Sequence, residues 1–201
     1  MLSQTELKIL EQLFKDLTRE YTIREVSLSL NLPYPQIHRT ITSLLGKKLV
    51  KKREKGKSII INLVLEEFNG EYVTVEMERR KKILERYKVL KILMYDLEKI
   101  EYNQFVCLLF GSYAEKKAKK GSDIDLLFVI PTEYNYEKFE RFVKSAITLS
   151  RADINITTEA GLLEMWKNPL KLNVGNELLK KHVVLFGAEQ FLRLRRKHYV
   201  G

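Results

Sequence analysis

The stretch GSYAEKKAKKGSDIDLLFVI, Gly111 to Ile130, holds the residues best suited to chemistry. Asp123 and Asp125 stand one residue apart at the lip of an apolar run. On a strand, both project to the same face. Two carboxylates so placed repel each other unless a cation neutralises them. Mg²⁺ suits that role, because it takes carboxylate and triphosphate oxygens together. Upstream, Gly111-Ser112 closes the apolar run NQFVCLLF and opens a helix pattern, SYAEKKAKK. Glycine admits close approach, and the free N–H groups of a helix start cradle phosphate. The expected arrangement is metal on the strand lip and triphosphate on the Gly-Ser turn.

The order of apolar strand, Gly-Ser, a ten-residue spacer and Ser-Asp-x-Asp-Leu resembles the nucleotidyltransferase superfamily of DNA polymerase β and the minimal nucleotidyltransferases. The resemblance implies two Mg²⁺ ions bridged by Asp123 and Asp125. It also implies a third carboxylate on a neighbouring strand. RADINIT supplies Asp153 for this role, with Glu159 as a fallback. Nucleotide contacts are expected from Gly111, Ser112, Lys116 and Ser122. The implied reaction moves NMP, AMP from ATP above all, onto a hydroxyl by in-line displacement of pyrophosphate. Many relatives carry Arg-Gly where this chain has Glu115-Lys116. The missing glycine is expected to change the turn, and the missing arginine to remove a nucleotide contact.

Positioning these residues requires a sheet with flanking helices, expected over residues 102–201. NYEKFERFVKSAITLS reads as a helix between two strands, and HVVLFG as a further strand. TTEAGLLEMWKNPLKL is helical up to Asn168-Pro169, with Trp166 read as core and His182 as a strand cap. Arg193, Arg195, Arg196 and Lys197 form a basic tail helix, open to RNA binding or to plain solvation.

Residues 1–65 carry a different pattern. Leu7, Leu10, Leu13, Phe14 and Leu17 share a helical face, with Ser3 or Thr5 as cap. A second helix starts at Thr22, Asn31 and Pro33 make a turn, and a third helix runs from Tyr34 to Gly46. Two strands then flank Lys55 and Gly56. Three helices followed by a basic hairpin resemble the winged helix-turn-helix family. That family reads the major groove with its third helix and touches phosphate with its wing. The resemblance assigns base contacts to Tyr34, Gln36, His38, Arg39, Thr40 and Ser43, and phosphate contacts to Lys51, Lys52, Arg53, Lys55 and Lys57. Double-stranded DNA is the implied partner. Lys47 to Lys57 holds seven cations and one acid, a density that also suits a solvated hairpin.

Residues 66–101 read as a helical connector, helical from Val75. Ile83, Tyr87, Leu90, Met94 and Leu97 form a stripe that packs on the next domain or makes a homodimer seam. The expected class is mixed α+β and α/β: a winged helix, then a small mixed sheet flanked by helices.

Composition bounds the rest. The chain has 201 residues and a net charge of +10, which favours a polyanionic partner. Its single cysteine, Cys107, excludes an intrachain disulfide and fits a reducing cytoplasm. No apolar stretch approaches the roughly 20 residues of a membrane span. The three histidines lie far apart and off zinc spacing. Two functions remain open. One is a transferase whose acceptor is a partner protein (as in antitoxin-type relatives that modify a toxin), an RNA end or a small molecule. The other is a DNA-binding regulator whose transferase-like domain senses nucleotide without turnover.

Overall fold

The computed structural model describes residues 1–168 and 170–200. Pro169, the expected helix stop, lies outside them. The described residues form ten helices and two sheets.

Helix α1 (Gln4–Leu13) opens on a capping box, in which Ser3 Oγ accepts from Glu6 N and Glu6 Oε2 accepts from Ser3 N. Thr22 and Glu25 start α2 (Ile23–Leu30) in the same way. Asn31 closes α2 in the left-handed conformation, with φ 50°, which its short polar side chain tolerates. Helix α3 (Tyr34–Gly46) buries Ile37, Ile41 and Leu44. The left-handed residue beyond α3 is Lys48, with φ 55°, so the helix ends without using the conformational freedom of Gly46. Strands β2 (Val50–Lys55) and β3 (Ser58–Leu63) pair antiparallel across Gly56. A strand not foreseen, β1 (Tyr21–Thr22), pairs with the other edge of β3. Two residues are too few to show an alternation.

Helix α4 (Gly70–Arg86) begins before the expected Val75, because Asn69 Oδ1 accepts from Glu71 N at 2.9 Å. It stops at Tyr87, whose backbone is extended at φ −120° and ψ 92°, and α5 (Leu90–Glu98) follows. The expected single helix is therefore two. Its stripe is spent inside the chain, since Ile83, Leu90 and Leu97 are buried against the second sheet. Helix α4 also serves two cores. Tyr72 and Val75 pack with the N-terminal helices, and Ile83 packs with the second sheet.

That sheet has the order β6-β5-β4-β7, from β4 (Val106–Leu109), β5 (Ile124–Ile130), β6 (Ala152–Thr158) and β7 (Val183–Phe186). Strands β5 and β6 are parallel, joined through α7 (Tyr136–Ala146), and β4 runs antiparallel to β5 and β7. Leu93 of α5 and Phe139 of α7 cover one face. Helices α8 (Glu159–Lys167), α9 (Val174–Lys180) and α10 (Ala188–Val200) cover the other. Burial on both faces explains why the strands read as continuous apolar runs. Leu192 of α10 reaches the N-terminal core.

Of three expectations for the C-terminal part, the first holds and the other two do not. Trp166 is core, and its Nε1 donates to Gly175 O at 2.8 Å. His182 is no strand cap. It is buried, with Nδ1 against Leu178 O and Nε2 3.4 Å from Glu76 Oε1. Arg195 is not a solvated tail cation either. It is buried with its guanidinium 4.8 Å from the Trp166 ring centre, because its position on α10 turns inward among Phe191, Leu192 and Leu194. Among the described residues, no helix is long and apolar enough to cross a membrane.

Candidate active site

Along β5, Ile124, Leu126, Phe128 and Ile130 face the α5–α7 side, while Leu127 and Val129 face α8–α10. Period-two alternation puts Asp125 on the α8–α10 face, at the end of its row. Asp153 of β6 is the direct register partner of Asp125. Neighbours in register share a face, so the two carboxylates stand side by side. Asp123 precedes β5, in the loop that enters it rather than on the strand as expected, and its charge acts on Asp125 from there.

The electrostatics agree with this placement. Burial pushes the Asp125 carboxyl above the ordinary range, and the charges of Asp153, then Asp123, then Glu177 push it further. Among the described residues, none of Asp123, Asp125 and Asp153 has a Lys, Arg or His ion-pair partner. Asn155 Nδ2 donates to Asp153 Oδ2 at a long 3.4 Å. These hard oxygen donors, lacking a cationic partner, fit a divalent ion. As placed, no three Asp, Glu, His or Cys side chains among the described residues converge closely enough to close around one.

Gly111 stands against this cluster. Its φ is +63°, and a Cβ built on it falls 2.0 Å from Asp125 Oδ2. Any side chain there meets both a disfavoured backbone and the carboxylate. The helix that follows, α6 (Gly111–Ala114), is a single turn, shorter than SYAEKKAKK suggested. It stops because Lys116 takes the left-handed conformation, φ 62°. The glycine expected at this position is absent, yet the left-handed turn forms all the same, with a lysine in it. Glu115, where the resemblance led to an expected arginine, pairs with Lys117 at 2.7 Å and Lys181 at 2.8 Å. Lys116 is exposed, and its carbonyl accepts from Arg86 Nη2 at 3.3 Å.

Ser112 is half-buried, and among the described residues no hydrogen bond engages its hydroxyl. Ser122 is already occupied, because its Oγ accepts from Lys119 N at 2.9 Å and shapes the loop before Asp123. Two further residues lie at the site without a signal in the sequence. Glu177 reaches it from α9, and Arg151 brings Nη1 to 3.2 Å from the position of a Cβ on Gly121. Glu177 comes from a distant segment that only folding brings in, whereas Arg151 stands two residues before Asp153 in the stretch RADINIT. A pocket of about 170 Å³ beside Gly111 is lined by Glu115, Asn173, Asn176, Glu177, Lys180 and Lys181.

The N-terminal candidates are elsewhere. Tyr34, His38 and Arg39 are exposed on α3. Gln36 and Thr40 are half-buried: Gln36 Nε2 lies 3.5 Å from Thr5 Oγ1, and Thr40 Oγ1 donates to Gln36 O, one turn back on its own helix, at 2.9 Å. Ser43 Oγ donates to Glu6 Oε1 at 2.9 Å. On the hairpin, Lys51 pairs with Glu66, while Arg53 and Lys55 share Glu20. Among the described residues, Lys52 and Lys57 have no such partner.

A mixed sheet that brings carboxylates together from two neighbouring strands, beside a Gly-Ser turn, defines a nucleotidyltransferase-class domain. Residues 88–190 match the family model described as Polymerase beta, Nucleotidyltransferase, just over half of the chain. The chain belongs to this family. No curated protein and no solved structure matches it.

Proposed function

We propose that the protein transfers a nucleoside monophosphate, AMP from ATP, onto a hydroxyl acceptor. The observation that carries this reading is the in-register pair Asp125–Asp153, crowded by Asp123 and lacking a cationic partner. When bound, Mg²⁺ ions supply charge neutralisation and Lewis acidity at the α-phosphate. Asp123, Asp125 and Asp153 would hold them. Gly111 leaves room for Asp125 and lets the backbone approach the phosphates closely, and the Ser112 hydroxyl is free to donate to them. Glu115 holds Lys181 at the rim of the pocket beside Gly111. Asp153, next to Asp125, is suited to orient the acceptor hydroxyl.

The N-terminal helices and hairpin support a second element of the reading, a winged helix that tethers the transferase to DNA. Tyr34, His38 and Arg39 are exposed on α3 for base edges. Lys52 and Lys57 stand clear for phosphates, and Lys51, Arg53 and Lys55 can exchange their acids for them.

The test uses ATP labelled at the α-phosphate, Mg²⁺ and cell extract as the source of acceptor. Transfer of label that disappears with Asp123→Asn/Asp125→Asn supports the reading. Undiminished transfer by that variant, or none by the native chain with any protein, RNA or small-molecule fraction, refutes it.

A further inference from the structure

A second cavity, of about 470 Å³, lies between the N-terminal helices and the transferase sheet. None of Asp123, Asp125 and Asp153 lines it. Its wall is assembled from four places in the chain: Lys15 beyond α1, Arg79 and Lys82 of α4, Lys116 after α6, and Lys180 and Lys181 at the end of α9. Seven Lys or Arg side chains line it, against three acids.

Those acids are committed. Glu11 holds Lys82 at 2.6 Å, and Glu115 holds Lys181 at 2.8 Å. Asp16 Oδ1 accepts from the backbone and hydroxyl of Thr18 at 2.9 and 2.6 Å. Arg79 is spent on buried Glu76, at 2.6 Å. Among the described residues, Lys15, Lys116 and Lys180 have no carboxylate partner. Partial withdrawal from water, then the field of Lys116, Arg79 and Lys82, pull Lys15 below the ordinary lysine range, against Glu11. Part of the floor is apolar, from Ile83, Val183 and Ala114, and Tyr21 stands at one side with the Arg19 guanidinium 4.9 Å from its ring centre. Small-molecule sites span about 300–1,000 Å³ and combine an apolar floor with a few directed charges.

We propose that this cleft is a second ligand site, for an organic polyphosphate the size of a mononucleotide, which ties the N-terminal helices to the transferase unit when it binds. The phosphates engage Lys15, Lys116 and Lys180, and the organic part lies on the apolar floor. A cleft of this limited volume favours a compact ligand over an extended nucleic-acid strand. The site also adjoins the chemistry. Glu115, Lys180 and Lys181 line both this cleft and the pocket beside Gly111, so occupancy here shifts side chains that face the transfer site. Leu17 N, which donates to Leu179 O at 2.9 Å, already pins the segment after α1 to α9.

The site is tested apart from the transfer reaction. ATP and inorganic tripolyphosphate are titrated separately, by calorimetry in EDTA, into the full chain carrying Asp123→Asn/Asp125→Asn. The expected result is saturable ATP binding, weaker for tripolyphosphate, that Lys15→Glu reduces at least tenfold. Lys15 does not line the Gly111 pocket, so a loss there reports on the cleft alone. Lys15→Ala is expected to give a smaller loss in the same direction, with native circular dichroism. Affinity unchanged by Lys15→Glu, equal affinity for both probes, or a single-stranded oligonucleotide that binds through Lys15 without competition from ATP would each overturn the proposal. The outcome does not depend on Mg²⁺ or on turnover, so its failure is distinct from failure of the transferase reading.

Discussion

Glu6 and Asp125 are both carboxylates withdrawn from water, and their surroundings move them in opposite directions. At Glu6, burial is outweighed by donors. Lys47, the Ser3 backbone and the Ser43 and Ser3 hydroxyls hold it down at about 2, from 4.5. At Asp125, burial and three other acids all act upward. Glu6 closes the α1 cap and joins it to α3, so its charge is used by the fold. The charge at Asp125 is opposed by its neighbours and answered by no cation among the described residues. On the reading proposed above, the difference separates an acid that holds a structure together from acids kept for a ligand.

The comparison can be broken in several places. The largest effect is expected at the acids of the sheet. Asp125→Asn should cost about a thousandfold in label transfer, since several kcal/mol of charge stabilisation depend on the site. In EDTA, the same variant should unfold about 2 °C higher, because it removes a repelled charge. A calorimetric scan that finds it less stable would show that Asp125 serves the fold.

Glu6→Gln should do the reverse, leaving label transfer intact and lowering stability by up to about 3 kcal/mol in denaturant titration. The pH dependence has opposite signs at the two sites. The stability from Glu6 is fully present above pH 4.5 and is lost as the pH falls towards about 2. The cost at Asp125, whose folded value is raised, is absent in acid and sets in as the pH rises through that value. Denaturant midpoints of the two variants against the native chain, measured across this range, check both signs.

Among the cations, the same contrast runs between Lys52 and Lys57 and their paired neighbours on the hairpin. If the hairpin touches DNA, removing Lys52 and Lys57 together should lower the slope of log affinity against log salt by about 2. Removing Lys51 should change it less, because Glu66 already holds that charge. The smallest effect concerns the turn. Lys116→Gly should stabilise by about 1 kcal/mol, by relieving a left-handed residue that carries a Cβ. Thermal unfolding checks it.

Much of the transferase half was legible in its residues. Asp-x-Asp at a strand lip and a Gly-Ser after an apolar strand are local patterns, and the parallel pairing that sets Asp153 beside Asp125 follows from a strand-helix-strand order. Glu177 was hidden, since nothing local distinguishes a charge that folding will bring near a site from a distant helix. The inward turn of Arg195 was hidden in the same way, because an arginine among other basic residues reads as solvated. The break at Tyr87 carries neither proline nor glycine, so the stripe around it gave no warning.

Because α4 belongs to both hydrophobic cores, the chain has no clean place to be cut. A fragment ending before Gly70 would lose Tyr72, whose hydroxyl is hydrogen-bonded to the carbonyls of Leu49 and Val64. One starting after Arg86 would leave the sheet without Ile83. Melting is therefore expected as one cooperative transition, and strain placed on either end of this shared beam is felt at the other.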